Sequence, residues 1–262
     1  MNQWSRRRKR IILALIFFIL IVLIGLPIFF LFYRAPTCFD KKQNGNETGV
    51  DCGGSCQLLC TSESLPLTLQ GDPRVLKVQN NTFELVAVIE NSNVSGEIYR
   101  AGYIFKIYST SSGIPIKVVE GETFVPKGAT FAIFEGPFIL EAGVIPARVT
   151  FEWKEGSLAW RRNATKLPEL VVKGANLSRE DTRPRLDATV GNASLESVSN
   201  IELIALISNE AGNIFAASKT FIDVLPVGAN TPIVFTWPSP FSEKVLNTKI
   251  IIRIFPDRSF IR

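Results

Sequence analysis

The chain begins with one long apolar segment, Ile11 to Tyr33, which contains no charged side chain. As an α-helix this segment would be roughly 35 Å long, enough to cross the hydrocarbon core of a bilayer. The pattern therefore predicts a transmembrane helix over residues 11–33. A cleaved signal peptide is the alternative, but it would have a shorter apolar core and a small residue where Tyr33 stands.

From residue 65 onward, short apolar stretches alternate with turn sequences. "ELVAVIEN" at 84–91 alternates with period two, and "GYIFKIYS" at 102–109 is rich in aromatic and β-branched residues. Ser-Ser-Gly at 111–113 and Pro-Lys-Gly at 126–128 are typical turn signals. No window beyond the apolar segment sustains the helical period, so this part of the chain is predicted to form antiparallel β-sandwiches.

The strand pattern occurs twice. "LVAVIENSNVS" at 85–95 matches "LDATVGNASLE" at 186–196, and "VPKGATFAIF" at 125–134 matches "LPVGANTPIV" at 225–234. The offset between matching positions stays between 99 and 101 residues, which indicates an internal duplication. The duplication predicts that three pairs of residues occupy equivalent turns: Asn91 with Asn192, Gly113 with Gly212, and Gly128 with Gly228.

These patterns define the predicted organisation of the chain. The predicted fold class is mainly β, with an N-terminal transmembrane helix, a small disulfide-stapled segment and two tandem antiparallel β-sandwiches. The predicted segments are a basic stub (1–10), the transmembrane helix (11–33), a cysteine-rich segment called the collar (34–64), the first sandwich (65–153), a linker (154–167) and the second sandwich (168–262).

The excess positive charge lies just before the helix. Five consecutive basic residues, Arg6 to Arg10, account for the whole net charge of +5, so the remainder of the chain is electrically balanced. A nucleic-acid partner is not expected, because such a partner needs basic residues gathered on a folded face. Since only Arg34 follows the helix closely, the positive-inside rule predicts a single-pass membrane protein with a cytoplasmic N-terminus and residues 34–262 outside.

All four cysteines lie in the collar, at Cys38, Cys52, Cys56 and Cys60. Cysteines outside the membrane oxidise, so two disulfides are predicted, with three pairings open. A four-cysteine zinc site is the alternative, but zinc sites use closer cysteine pairs and reducing compartments. No metal ion is therefore expected at these cysteines.

Part of the collar also matches a calcium-binding loop. Asp40, Asn44, Asn46 and Asp51 fall at ligand positions of such a loop, although Lys42 stands where an acidic residue is usual. The alternative is a solvated turn, in which the Asn and Asp side chains satisfy nearby backbone groups.

No catalytic constellation is evident in the sequence. The chain has no histidine, which excludes Ser-His-Asp catalysis, Cys-His catalysis and His-ligated metals. No cofactor is expected. The acidic pairs Glu120/Glu122 and Glu180/Asp181 lie beside turns, where carboxylates are usually solvated.

Three residues of the predicted linker are candidates for a partner contact. Trp160 is followed by Arg161 and Arg162, and an exposed aromatic residue beside two guanidinium groups is typical of binding surfaces. The alternative places Trp160 as a plug between the two sandwiches.

Two motifs resemble those of known families. "CFDKKQNGNETGVDCGGSC" at 38–56 resembles a DCGG-type cysteine motif of secreted and membrane-anchored surface proteins. Phe105-Lys106-Ile107-Tyr108-Ser109, with the Asn91-Ser92 turn before it and Pro126-Lys127-Gly128 after it, resembles the FxLYD modules of prokaryotic envelope proteins, with Ser109 in place of Asp. The second resemblance implies immunoglobulin-like sandwiches, and neither resemblance implies an activity.

The expected function follows from this organisation. We expect a non-catalytic envelope protein, anchored in the lipid bilayer through residues 11–33, that spaces or presents a surface for a protein partner. The alternative is an envelope enzyme or enzyme subunit, hydrolase-like, with a carboxylate site where the sandwiches meet. The chain also contains six N-glycosylation acceptor sequences: Asn46, Asn80, Asn93, Asn163, Asn176 and Asn192.

Overall fold

The computed structural model describes residues 3–33, 35–110 and 113–257. The chain divides into two compact units, with the boundary between Cys56 and Gln57. Some residues used in the predictions lie outside the described ranges: residues 1–2 of the basic stub, Arg34 of the collar, Ser111 and Ser112 of a predicted turn, and residues 258–262 of the second sandwich.

The predicted transmembrane segment is helical. Helix α1 spans Gln3–Leu20, helix α2 spans Leu26–Phe32, and the residues Ile21–Gly25 between them form a wider π-type turn. Pro27 has no N–H to donate to the carbonyl one turn earlier, and a π-type turn is a common way to accommodate a lost bond of the helical ladder. Within the described residues, Arg6–Phe32 is long and apolar enough to cross a membrane, which confirms the predicted helix at that level.

The collar residues 35–56 form a series of tight turns held by crosslinks. A disulfide joins Cys38 to Cys56, whose Cα atoms are 5.7 Å apart. Cys52 and Cys60 are disulfide-bonded as well, so no described cysteine is free. The prediction of two disulfides is therefore confirmed. A short 3-10 helix, Thr61–Glu63, leads toward the first sandwich.

The first sandwich consists of two antiparallel sheets of four strands each. In one sheet β3 pairs with β6 on one edge and with β2 and the short β1 on the other. In the second sheet β4 pairs with β5 on one edge and with β7 and the short β8 on the other. The strands are β1 (Thr68–Leu69), β2 (Arg74–Gln79), β3 (Thr82–Asn91), β4 (Gly96–Ser109), β5 (Lys117–Val125), β6 (Ala129–Ile139), β7 (Pro146–Trp153) and β8 (Trp160–Arg162).

The second sandwich has two three-stranded antiparallel sheets, in the orders β9-β10-β13 and β12-β11-β14. Its strands are β9 (Leu170–Ser178), β10 (Arg185–Asn192), β11 (Val198–Ser208), β12 (Ile214–Leu225), β13 (Asn230–Thr236) and β14 (Asn247–Ile254).

The two sandwiches repeat one topology. Apart from the short strands β1 and β8, each sandwich has six strands. In both sandwiches the first, second and fifth of these strands form one sheet, and the third, fourth and sixth form the other. Equivalent turns also match: the Asn91 amide donates to the Pro126 carbonyl at 2.8 Å, and the Asn192 amide donates to the Pro226 carbonyl at 3.2 Å. Gly128 and Gly228 each lie two residues after these prolines. Both glycines have positive φ, which favours a residue without Cβ. The duplication read from the sequence is therefore confirmed in the fold.

Three hydrophobic cores hold this part of the chain together. Each sandwich has its own core, centred on residues such as Phe105 and Phe131 in the first and Leu203 and Phe235 in the second. A third core forms where the β2-β3-β6 sheet packs against the β12-β11-β14 sheet. Its buried members are Leu76, Val86, Val88, Ala132 and Phe134 from the first sandwich and Ile204, Leu206, Ala217 and Ile251 from the second.

The third core explains an unusual feature of the strand sequences. Residues 201–207, in β11, are all buried, although a strand with one solvated face would bury only alternate residues. One face of β11 packs in its own sandwich and the other packs against the first sandwich, so both faces are buried, and Glu202 is the one charged residue of the strand. The two sandwiches are consequently joined by a sheet-on-sheet interface rather than by the linker alone.

Candidate functional site

The region where the two sandwiches meet carries a buried ion pair. Glu202 on β11 and Arg253 on β14 are direct cross-strand partners in the ladder, which brings their side chains to the same face of the sheet. The Arg253 Nε donates to Glu202 Oε1 at 2.9 Å, and Arg253 Nη2 also contacts that oxygen. Both side chains are only 5% exposed.

The same guanidinium reaches the first sandwich. The Arg253 Nη1 donates to the hydroxyl of Thr123, on β5, at 2.8 Å. Its carbon also lies 4.5 Å from the ring centroid of Phe255 and 5.6 Å from that of Phe131. Cation–π contacts of this kind are stronger when the cation is desolvated. Arg253 thus links the second sandwich to the first with polar and aromatic contacts that accompany the third core.

A cleft of about 330 Å³ lies beside Arg253. Its walls are mostly apolar, and the carboxylate of Glu97 within it accepts a hydrogen bond from the Asn163 amide at 2.8 Å. The walls are formed by β5–β6, the linker and the end of β14, with Phe124, Leu167, Leu170, Ile252 and Phe255 among the lining residues. Glu202 already neutralises the charge of Arg253. Since the remaining walls are mostly apolar, the cleft suits an apolar group.

Glu84, on β3, is the one described carboxyl whose pKa is strongly raised. Burial raises the pKa of Glu84 to about 7, although the nearby Lys219 ammonium acts in the opposite direction. The Lys219 ammonium lies 5.4 Å from the ring centroid of Phe134, in the third core. Glu84 therefore stands at the same junction as Arg253, in a setting that favours its neutral form at moderately acid pH.

The acidic pairs noted in the sequence are separate from this junction. Glu122 pairs with Arg100 at 3.4 Å and Glu120 pairs with Lys154, all four with exposed side chains. Residues Glu180 and Asp181 lie in the turn between β9 and β10. The described structure does not bring these two pairs together. The carboxyl groups at the junction are Glu84, Glu97 and Glu202, and the sequence analysis singled out none of them.

The candidate calcium residues of the collar bind one another and the backbone. Asp51 Oδ1 accepts the N–H groups of Asp40 and Lys41 at 2.9 and 3.0 Å. The Asn44 amide donates to Asp40 Oδ2 at 2.8 Å, and this bond holds the pKa of Asp40 below its usual value. The bonds of the two aspartates are those of a turn whose carboxylates accept nearby N–H groups, whereas the buried Oδ1 of Asn44 has no hydrogen-bond partner among the described residues. Asn46, the remaining candidate ligand, is exposed.

The disulfide also limits what the collar can bind. Cys38, Glu47 and Cys56 converge closely enough to resemble a metal-binding group. Cys38 and Cys56 are bonded to each other, however, and a disulfide sulfur is not the thiolate that metals prefer. The cluster therefore has a crosslinking role in this structure.

The partner contact predicted at Trp160 needs correction. Trp160 is only 3% exposed and belongs to the core of the first sandwich, because β8 pairs with the start of β4. It is therefore neither an exposed contact nor a plug between sandwiches. Arg161 and Arg162 are exposed on the same strand, and the Arg161 guanidinium lies 5.6 Å from the Tyr99 ring centroid.

Two of the six acceptor asparagines are buried. Asn192 is 3% exposed and Asn93 is 9% exposed. The Asn192 amide donates to the carbonyls of Glu196 and Leu225 at 2.8 and 3.0 Å, and the Asn93 amide donates to the Leu65 carbonyl at 2.8 Å. A glycan on either side-chain amide would disrupt these hydrogen bonds. The two asparagines therefore stabilise the turns in which they lie.

Comparisons with known proteins give the chain no family. No family model matches it, and no curated protein matches it. Among solved structures, a Bacteroides uniformis β-glucuronidase is 11% identical with a TM-score of 0.20, covering 68% of this chain and 26% of the enzyme. A glycoside hydrolase family 2 β-glucuronidase is 12% identical with a TM-score of 0.20, covering 84% of this chain and 28% of the enzyme. The chain thus spans about a quarter of these enzymes, and a likeness this weak carries no functional argument.

Proposed function

We propose that this protein is a non-catalytic, single-pass membrane protein that holds a rigid pair of immunoglobulin-like sandwiches outside the membrane and presents them to a protein partner. The apolar helix Arg6–Phe32 would be the anchor, and the basic residues before it favour a cytoplasmic N-terminus.

The observation that carries the proposal is the interface between the sandwiches. A third hydrophobic core and the Glu202–Arg253–Thr123 contacts join the two sandwiches along a whole sheet face. Modules that act independently are usually joined by small, polar contacts. A fixed pair instead defines a surface that neither sandwich has alone, which suits a spacer or a binding platform.

Two further features support the finer parts of the proposal. The strand order, with the fifth strand beside the second and the sixth beside the third, supports the immunoglobulin-like class. The disulfides of the collar support an oxidising location, because such bonds are rare in reducing compartments.

The non-catalytic part of the proposal is supported by how the junction carboxylates are bonded. Glu202 is held by Arg253, and Glu97 in the cleft accepts the Asn163 amide. Glu84 is the junction carboxyl with a raised pKa, but its pKa is set by burial and by Lys219 and not by a second carboxyl group facing it. A hydrolase of the carboxylate type needs two carboxyl groups facing one substrate bond, one of them free to donate a proton.

The proposal is tested by recovering the partner from native membranes. The tagged full-length protein is extracted in mild detergent after brief crosslinking and its associated proteins are identified. The control protein keeps residues 1–64 but carries an unrelated β-sandwich in place of residues 65–262. A protein enriched only with the native body supports the proposal. Equal recovery with both bodies would contradict it.

A further inference from the structure

The end of the double sandwich where the chain enters gathers exposed aliphatic side chains from several turns. Val94, in the β3–β4 turn, is 81% exposed, and its equivalent in the second sandwich, Leu195, is 94% exposed. Val227 in the β12–β13 turn and Leu167 in the linker are 53% and 45% exposed. We call these four residues the aliphatic rim. Exposed aliphatic residues usually occur singly, so four on neighbouring turns need an explanation.

Hydrogen bonds show that these turns are neighbours. The Asn163 N–H of the linker donates to the Ser95 carbonyl at 2.8 Å, next to Val94. The Ala193 N–H donates to the Glu169 carbonyl at 2.9 Å, which places Leu195 beside the linker. A groove between residues 165–169 and 193–198 confirms the proximity. The rim therefore extends across the same end of both sandwiches.

The chain enters the double sandwich at this end. The Gln57 carbonyl accepts the N–H of Arg162 at 2.7 Å, and the Leu65 N–H donates to the Asn93 side chain at 2.7 Å. Asn93 lies in the turn that carries Val94, and Arg162, in β8, pairs with Gly96 just after that turn. The opposite end lies beyond the 14 residues of β4, roughly 45 Å away.

The covalent path from the helix to this end is short. Five residues separate Phe32, the last residue of α2, from Cys38, and the disulfide then leads directly to Cys56 and Gln57. Even fully extended, this path is about 30 Å long. If the helix is the membrane anchor, the entry end is always close to the bilayer, whereas the opposite end is not constrained in this way.

Exposure alone does not distinguish the two ends. Ile145 and Leu246, in turns at the opposite end, are 73% and 64% exposed. What distinguishes the rim is its tether to the helix. Exposed Arg161 and Lys166 also lie at the entry end, where cationic side chains can reach lipid phosphates.

We propose that the aliphatic rim rests on the lipid bilayer in which the protein is anchored, with Val94 and Leu195 in the interfacial layer. This inference rests on the proposed membrane anchorage. It assigns the entry end to the lipid surface and leaves the opposite end and the sandwich sides for the protein partner.

Photocrosslinking in proteoliposomes tests the inference. The photoreactive amino acid benzoylphenylalanine replaces Leu195 or, in a second protein, Val94 of the full-length chain, and Leu246 in the matched control. All three positions are highly exposed, so folding is not at risk. After reconstitution into vesicles of phosphatidylcholine and phosphatidylglycerol and irradiation, mass spectrometry measures lipid adducts. Several-fold more lipid adduct at positions 195 and 94 than at 246 is expected.

The outcomes separate the inference from the proposed function. Equal adducts at all three positions, or crosslinks from position 195 to a second protein copy, would overturn the inference while anchorage stands. Extraction of the protein from the vesicles by alkaline carbonate would instead overturn the anchorage itself.

Discussion

At the scale of single residues, the buried asparagines of the duplicated turns have the clearest structural role. Asn91 donates to the carbonyls of Gly96 and Pro126, both at 2.8 Å, and Asn192 makes the equivalent bonds in the second sandwich. Each amide thus ties the second strand's end to the turn before the fifth strand. The repeated Asn in the sequence reflects this bond, which no other short side chain supplies.

Replacing Asn192 should destabilise the second sandwich. Asn192→Ala leaves the carbonyls of Glu196 and Leu225 without their donor in a buried turn, so we expect a loss of about 2–3 kcal/mol in the free energy of unfolding. Asn176→Ala, at an exposed asparagine, is the control. Urea titration of both variants measures the difference, and equal midpoints would contradict the role given to Asn192.

Glu84 should make stability depend on pH. Its folded pKa of about 7 lies above its ordinary value of 4.5, so between these values the unfolded chain loses its proton first. The stabilisation that neutral Glu84 contributes is therefore fully present below pH 4.5, and it is lost as the pH rises through 7. After allowance for solvent screening of this half-buried group, the loss is on the order of 1–2 kcal/mol.

The variant Glu84→Gln isolates this contribution. It removes the titration, so at pH 8 it should unfold at higher urea concentration than the native protein, while at pH 5 the difference should be much smaller. Glu141→Gln, at an exposed turn position, should leave the urea midpoint unchanged at both pH 8 and pH 5. If the free energy of unfolding of the native protein instead changes between pH 5 and pH 8 by the same amount as that of Glu84→Gln, the raised pKa is refuted.

Only some of the residues with a clear structural role could be identified from the sequence. The Asn pair was visible because it repeats in register, and the cysteines because they cluster. Glu202 and Arg253 were missed, although Glu202 is the one charged residue of β11, because only the register of β11 with β14 makes them partners. Trp160 was misplaced because it begins a strand of three residues, Trp160–Arg162, which is too short for an alternation signal.

At the scale of elements, strand pattern predicted the sandwiches and their duplication well. Alternation and turn residues mark each long strand locally, so tertiary context is not needed to find them. The interface between the sandwiches was not predictable in the same way. Strands such as β11 are mostly apolar on both faces, and a sequence does not say which neighbour covers the second face.

The collar should depend on its crosslinks, whereas the sandwiches should not. Every cysteine precedes residue 61, and the Cys38–Cys56 pair closes a loop of 18 residues, which corresponds to about 3 kcal/mol in the chain-entropy model. Reduction should therefore expose residues 35–56 to protease and leave the thermal transition of the sandwiches almost unchanged.

Limited proteolysis with and without reductant, followed by mass spectrometry, measures the first effect, and calorimetry measures the second. A control digestion of alkylated but unreduced protein excludes an effect of the reagent. A large fall in the Tm of the sandwiches on reduction would show that the crosslinks stabilise more than the collar.

At the scale of the whole molecule, the third core should make the two sandwiches unfold together. Leu206, on β11, is 3% exposed and packs in that core. The Leu206→Asp variant buries an unpaired carboxylate at the interface, which is strongly unfavourable. We therefore expect one calorimetric transition for the native protein and two for this variant.

Val234 provides the matched control for this experiment. It is 38% exposed on β13, away from the third core, so Val234→Asp should keep the single transition. Two transitions in the native protein would mean that the sandwiches fold independently and that the interface is too weak to define a joint surface.

The central claim is that residues 34–262 lie outside the membrane on a single helical anchor. Protease added to intact cells or spheroplasts that express the full chain with a C-terminal tag tests it most directly, with a cytoplasmic protein as the control for lysis. The account predicts loss of the tag while the cytoplasmic control stays intact. Full protection of the tag in intact cells, with digestion only after lysis, would contradict the account.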